Sequence, residues 1–294
     1  MPMNSFLLLT LLLLPIISGC ANQAFFSPSN NNIPSKEVIW LDSLSGNKIA
    51  YRYYHPTNMS SISSPDLRGT VVHFHGNSGQ MEQTQEKVAW LTDYGFSVIT
   101  FDYSGFGHST GTATDKDAYL DAISILNYIN QYNHQPLFVV ATSTGSNIFL
   151  RAWADNPIEI DGIILDSPFT SYVKEAQFVL SQSPLGKLYD WFALVIMRDD
   201  YAAEQSLHRV PESHALVVHC EEDSVVPFEF GETLYQQLKG NKEFMAFDDC
   251  RHARAMTGDH PHYQQNIAQW LVNTEQYVRQ NNREQATQMI AYNE

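Results

Sequence analysis

Ser143 stands in Phe138-Val139-Val140-Ala141-Thr142-Ser143-Thr144-Gly145, where an apolar, β-branched run passes into a helix-like stretch. Small residues two before and two after the Ser let strand and helix approach closely, and a sharp turn there lifts the hydroxyl above the sheet. A Ser hydroxyl is a poor nucleophile at its own pKa. It needs a base to take its proton, and the base needs an acid to orient it. Both residue types follow in the chain. Val217-Val218-His219-Cys220-Glu221-Glu222-Asp223-Ser224-Val225-Val226-Pro227 offers Glu221, Glu222 and Asp223 just past a late strand, and Asp166 closes an earlier one. His252 lies past the last strand, and His260 and His262 stand at the start of the helix beyond it. Serine, carboxylate and histidine in that order suit acyl transfer through a covalent intermediate.

The elements that must hold these residues alternate. Val38 to Leu41 and Lys48 to Tyr54 flank the turn Ser45-Gly46-Asn47, a hairpin signal. Further strands are expected at 70–74, 96–101, 137–141, 160–165, 215–219 and 244–247. Helices are expected at 81–94 (ended by Gly95), 115–132, 146–154, 228–238 and 262–279. Strands and helices in alternation imply a parallel sheet covered on both faces, with continuous apolar strands. Between Thr170 and Val210 the alternation breaks. That segment is rich in aromatic and aliphatic residues (Tyr172, Phe178, Leu180, Leu185, Leu188, Tyr189, Trp191, Phe192, Leu194) and reads as a small helical cap that could supply an acyl or aryl pocket.

Several motifs now combine. His75-Gly76-Asn77, Asp102-Tyr103-Ser104-Gly105-Phe106-Gly107, Asp166-Ser167-Pro168-Phe169 and Asp223 to Pro227, in this order, resemble the serine-aminopeptidase-like α/β-hydrolases over about Val38 to Arg279. That family includes esterases and lipases besides peptidases. The resemblance implies an α/β-hydrolase fold, with a mostly parallel central sheet flanked by helices and the cap at about 170–210. By the same resemblance Ser143 is the nucleophile, Asp223 the acid and His252 the base. The backbone N–H groups of Asn77 and Thr144 form the oxyanion hole, and His75 shapes its loop. His73, His108 and His219 read as structural or loop residues. Two positions and one stretch depart from the pattern: Ala141 and Cys220 stand where Gly is usual, and Asp249-Cys250-Arg251 replaces a Gly-rich approach to His252.

The N-terminus carries an address. Phe6 to Ile17 is apolar except for Thr10 and Pro15, too short to span a bilayer and of signal-peptide length. Ile17-Ser18-Gly19-Cys20 resembles the bacterial lipobox, although Met1 to Ser5 contain no Lys or Arg. The resemblance implies a cleaved leader at 1–19 and acylation of Cys20. With Ala21 next it implies a place in the cell envelope, at the outer membrane. Residues 20–36, rich in Asn, Ser and Pro, read as an acylated tether, 37–280 as the hydrolase domain and 281–294 as a polar, frayed tail.

The formal net charge of −15 disfavours nucleic acid and anionic membrane surfaces as partners. No His/Cys pair has metal-ligand spacing, and the chemistry requires no cofactor. Cys220 and Cys250 lie close to Asp223 and His252. If their strands are neighbours, an oxidising envelope permits a disulfide between them, and two buried free thiols are the alternative. The expected substrates are small or medium apolar esters. A peptidase or amidase with the same three residues is the alternative, for which a cap carboxylate (Glu175, Asp190, Asp199 or Asp200) would receive a free amine. A non-catalytic envelope lipoprotein is the third possibility.

Overall fold

The computed structural model describes residues 21–29, 37–57, 67–132, 136–182 and 186–293. The leader, Cys20 and residues 30–36 lie outside the described residues. Eight strands form one sheet: β1 (Ile39–Asp42), β2 (Lys48–Tyr54), β3 (Gly69–Phe74), β4 (Phe96–Phe101), β5 (Leu137–Thr142), β6 (Gly162–Asp166), β7 (His214–Cys220) and β8 (Lys242–Phe247). Their spatial order is β8-β7-β6-β5-β3-β4-β2-β1. β1 and β2 run antiparallel at one end, and β3 to β8 are mutually parallel.

Successive strand side chains point to opposite faces, and helices cover both, so the central strands contain no polar face. Val139 and Ala141 of β5, with Phe74, Phe101, Leu165 and Val217, pack under α1 (Asp115–Tyr132), α2 (Thr144–Asp155) and α5 (Phe228–Gln237). Phe138 and Val140, with Val98, Ile164 and Val218, pack under the closing helix α6 (Pro261–Asn293) on the other face. Two helices, α3 (Tyr172–Ser181) and α4 (Gly186–Ile196), and a 3₁₀ segment (Glu204–Arg209) make the cap. Among the described residues no helix is long and apolar enough to cross a membrane.

Three stretches differ from expectation. The helix expected at 81–94 is a single α turn (Met81–Thr84) and two 3₁₀ segments (Gln85–Lys87, Ala89–Tyr94). Val88 breaks it with φ −133°, because its side chain and that of Leu91 are buried under the sheet while Trp90 Nε1 donates to the carbonyls of Lys87 and Met256. Gly95 still ends the run in the left-handed region, φ 87°. The polar tail is a continuation of α6 to Asn293, since residues 280–293 contain no Gly or Pro and are mostly good helix formers. The third is the tether. Its first part, Ala21–Phe25, forms a 3₁₀ turn, and Ser27–Pro28 pairs with Ser78–Gly79. Phe26 and Asn22 are buried against the body, so these residues are packed and not loose.

Candidate active site

The parallel strands β3, β5, β6, β7 and β8 all end on one edge of the sheet, where ligands of open α/β sheets bind. Ser143 follows β5 with φ 53° and ψ −120° as the N-cap of α2. Holding a side chain in that region costs on the order of 1–3 kcal/mol, met by the surroundings. Its N–H donates to the Asp166 carbonyl at 2.8 Å, and Ser146 Oγ donates to the Ala141 carbonyl at 2.7 Å. Gly145 is required sterically: a Cβ there would collide with the carbonyl oxygens of Phe74 and His75. Ala141, the departure on the other side, faces the core and its methyl is accommodated there.

His252, on the loop after β8, places Nε2 3.1 Å from Ser143 Oγ and Nδ1 2.7 Å from Asp223 Oδ2. Asp223 follows β7. Its Oδ1 accepts the N–H groups of Val225 and Val226, each at 2.9 Å, which is why Val-Val-Pro follows it: the turn folds back on the carboxylate and Pro227 opens α5. Burial pushes the Asp223 pKa up, but hydrogen bonds from His219 and His252 and the His252 charge more than reverse this, holding it well below the usual carboxylate range. His219, fully buried, also donates Nε2–H to the Val226 carbonyl at 3.1 Å.

The competing residues fall away from the imidazole. Glu221 and Glu222 are exposed, His262 is exposed, and His260 stacks on Tyr263. Asp166 is buried with neither carboxylate oxygen hydrogen-bonded among the described residues, and burial raises its pKa against the pull of Lys87. His75 donates Nδ1–H to the Gly76 carbonyl at 2.8 Å, and burial lowers its pKa to about 4, so the ring stays neutral. Cys220 at the end of β7 and Cys250 after β8 are joined as a disulfide. It ties the loop bearing Asp223 to the loop bearing His252.

Gly76, Asn77 and Thr144 surround Ser143 in a cavity of about 760 Å³. Its walls include Phe169, Val179, Leu180, Ile196, Met197 and Phe25, and its polar side chains include Lys87 and Glu175. The cap thus contributes aliphatic side chains, whereas its Trp191 and Phe192 point outward. Sequence reasoning missed Phe25, hidden in an Asn- and Ser-rich stretch; the adjacent pair Phe25-Phe26 was the available signal. It also missed Lys87, whose ammonium donates to the Ala253 carbonyl next to His252. Glu175 is the one cap carboxylate that reaches the cavity among those with described side chains; its Oε2 has no hydrogen-bond partner among the described residues, and burial, reinforced by Asp223, raises its pKa to about 8.

Sheet, cap and site together define a serine hydrolase of the α/β-hydrolase fold, and the chain is an enzyme of that class. It belongs to the Hydrolase_4 family (serine aminopeptidase, S33), which matches residues 65–214. The uncharacterized protein YfhR of Escherichia coli K12 is 30% identical over 238 residues, covering 77% of this chain and 80% of that one. The lysophosphatidylserine lipase ABHD12 of Danio rerio is 30% identical over 199 residues, 60% of this chain and 51% of its own length. The Pyrococcus furiosus esterase Pf2001 superposes with a TM-score of 0.63 at 16% identity, covering 84% of this chain and 96% of the esterase, a likeness of fold.

Proposed function

We propose that the protein hydrolyses carboxylic esters of small or medium apolar acyl groups through an acyl-enzyme on Ser143. The observation that carries this reading is the continuous line Asp223–His252–Ser143, at 2.7 and 3.1 Å, opening into a cavity with a largely apolar wall. His252 takes the Ser143 proton as Oγ attacks the ester carbonyl, and Asp223 stabilises the imidazolium. The N–H groups of Asn77 and Thr144 receive the oxyanion, each contributing a factor of about 10²–10³. The imidazolium then protonates the leaving alkoxide. A water deprotonated by His252 attacks the acyl carbonyl and releases the acid and free Ser143. Esterase and lipase names among the relatives and fold neighbours support the choice of ester over amide.

One observation favours a second reading. Glu175 is buried against the cavity with an unpartnered oxygen, the feature an amidase or peptidase acting on substrates with a free amine would need. Turnover of p-nitrophenyl acyl esters beside aminoacyl p-nitroanilides decides between the two. Labelling by a fluorophosphonate probe, lost in Ser143→Ala, tests the nucleophile. Faster turnover of the anilides would overturn the ester reading.

The cell-envelope reading rests on the residues before Ala21. Cys20 carries the lipid, and the protein sits on the outer membrane. Metabolic incorporation of an alkyne fatty acid that survives in the parent and disappears in Cys20→Ser supports it; equal incorporation in both rejects it.

A further inference from the structure

Residues 22–28 hold on to the hydrolase body at both ends. Asn22 Nδ2 donates to Asp115 Oδ2 and to the Arg198 carbonyl, each at 2.7 Å, and its Oδ1 accepts the Arg198 N–H at 3.0 Å. Phe25 and Phe26 rest on Tyr172, and the Ser27 N–H reaches both oxygens of Asn77. Cys20 precedes Asn22 by two residues in the sequence. Whatever holds residue 20 therefore meets the molecule beside Arg198, immediately after the cap helix α4.

That cap turns apolar side chains outward. Trp191 is 56% exposed, Leu194 62%, and Val179 of α3 51%, with Phe192 beside Trp191. Val179 also lines the cavity, as does the exposed Val225. Exposed apolar side chains of the cap thus also reach the rim of the site, and apolar patches of this kind mark surfaces that are covered in use.

We propose that this cap face lies on the membrane that holds residue 20, and that the substrate is an amphiphilic acyl ester entering the cavity from that surface. The reading of Cys20 as the anchor and of the cavity as an ester site underlies the proposal. Three observations select a bilayer. The apolar run Phe6–Ile17 and Cys20 lie just upstream of the clamp at Asn22. A Trp flanked by aliphatic side chains suits the interface between headgroups and acyl chains. The rim residues Val179 and Val225 give an acyl chain an apolar route toward Ser143. The net charge of −15 further selects a zwitterionic over an anionic surface.

The test uses the full chain reconstituted in phosphatidylcholine vesicles with brominated acyl chains, which quench nearby Trp fluorescence. The parent should be quenched and Trp191→Phe at least twofold less, while Trp40→Phe, lacking a 49% exposed Trp on the outer strand β1, should match the parent. Quenching of Trp191→Phe as strong as that of the parent would overturn the proposal. So would absence of quenching in the parent; a dimer that Trp191→Ser dissociates would then assign the face to a second copy. A kinetic arm separates this from the esterase reading. In Trp191→Ser/Leu194→Ser, turnover of water-soluble p-nitrophenyl butyrate should stay within twofold and turnover of a long-chain ester embedded in vesicles should fall at least fivefold. Equal effects on both substrates count against docking. A parent inert toward both esters fails the esterase reading, and the quenching result still decides the docking.

Discussion

The chemistry proposed at Ser143 depends on a few side chains whose surroundings push them in opposite directions. Asp223 is held ionised by histidines and backbone N–H groups, so His252 keeps its orienting partner across the neutral range. Replacing Ser143 by Ala should lower kcat/KM by at least about 10³-fold with the thermal midpoint nearly unchanged, because only the proposed nucleophile is lost. Comparable residual activity in a scrupulously purified variant would remove Ser143 from the reaction. Glu175 behaves oppositely. Burial raises its pKa from 4.5 to about 8, so the folded state holds its proton where the unfolded state has released it. The stability of the protonated form is fully present below about pH 4.5 and is lost progressively as pH rises toward 8. Glu175→Gln removes this penalty. Its thermal midpoint should exceed the parent's by at least about 3 °C at pH 8.5 and by much less at pH 5, read by calorimetry. An equal difference at both pH values would mean that the carboxyl is not held neutral.

The elements bring the site together through their ends. β7 and β8 are neighbours in register, Phe247 opposite Cys220, so the loops that follow them lie side by side and the Cys220–Cys250 bond joins them. A closed loop with a sequence separation of 30 lowers unfolded-chain entropy by about 3–4 kcal/mol in free-energy terms. Cys220→Ala/Cys250→Ala should therefore lose about 10 °C in thermal midpoint, and more activity than stability loss alone explains, because His252 and Asp223 lose their tie. A variant as stable as the parent at all temperatures would contradict this. Most of these elements were legible in the sequence. The buried strands declare themselves as unbroken apolar runs, and α1 is recovered from Asp115 to Tyr132 by its spacing. The elbow is legible because Gly145 has no alternative against the β3 carbonyls. The 81–94 region was not legible, since its apolar spacing is helical while the packing of Val88 and the bonds of Trp90 break the helix. Nor was the contact of Glu175 with the cavity, which depends on how the cap settles over the sheet and leaves no local trace in the residues around it.

At the scale of the whole molecule, the hydrolase body is completed by a segment from outside it. Asn22 bonds to Arg198, a separation of 176 residues, and Ser27 bonds to Asn77 across 50. Tethers rich in Asn and Ser read as uncommitted chain, because polar composition carries no periodicity that could announce a docking site. The two phenylalanines make the difference, since burying aromatic rings offsets the entropy of ordering the few residues around them. Phe25 lies 5.2 Å from the Tyr172 ring and 5.8 Å from that of Phe169, and it forms part of the cavity wall. Its removal should therefore act first on the substrate's acyl chain. Phe25→Ala opens space beside the apolar wall, and each additional buried methylene of a longer acyl group gains about 0.8 kcal/mol there. With room for about two of the four methylenes by which octanoyl exceeds butyryl, the ratio of kcat/KM for octanoyl over butyryl p-nitrophenyl esters should rise about tenfold, with the butyryl value little changed because Ser143, His252 and Asp223 are untouched. If both esters instead lost activity in equal proportion, Phe25 would be holding Asn77 and the oxyanion loop in place and not bounding the acyl chain, and the N-terminal segment would belong to the catalytic frame alone.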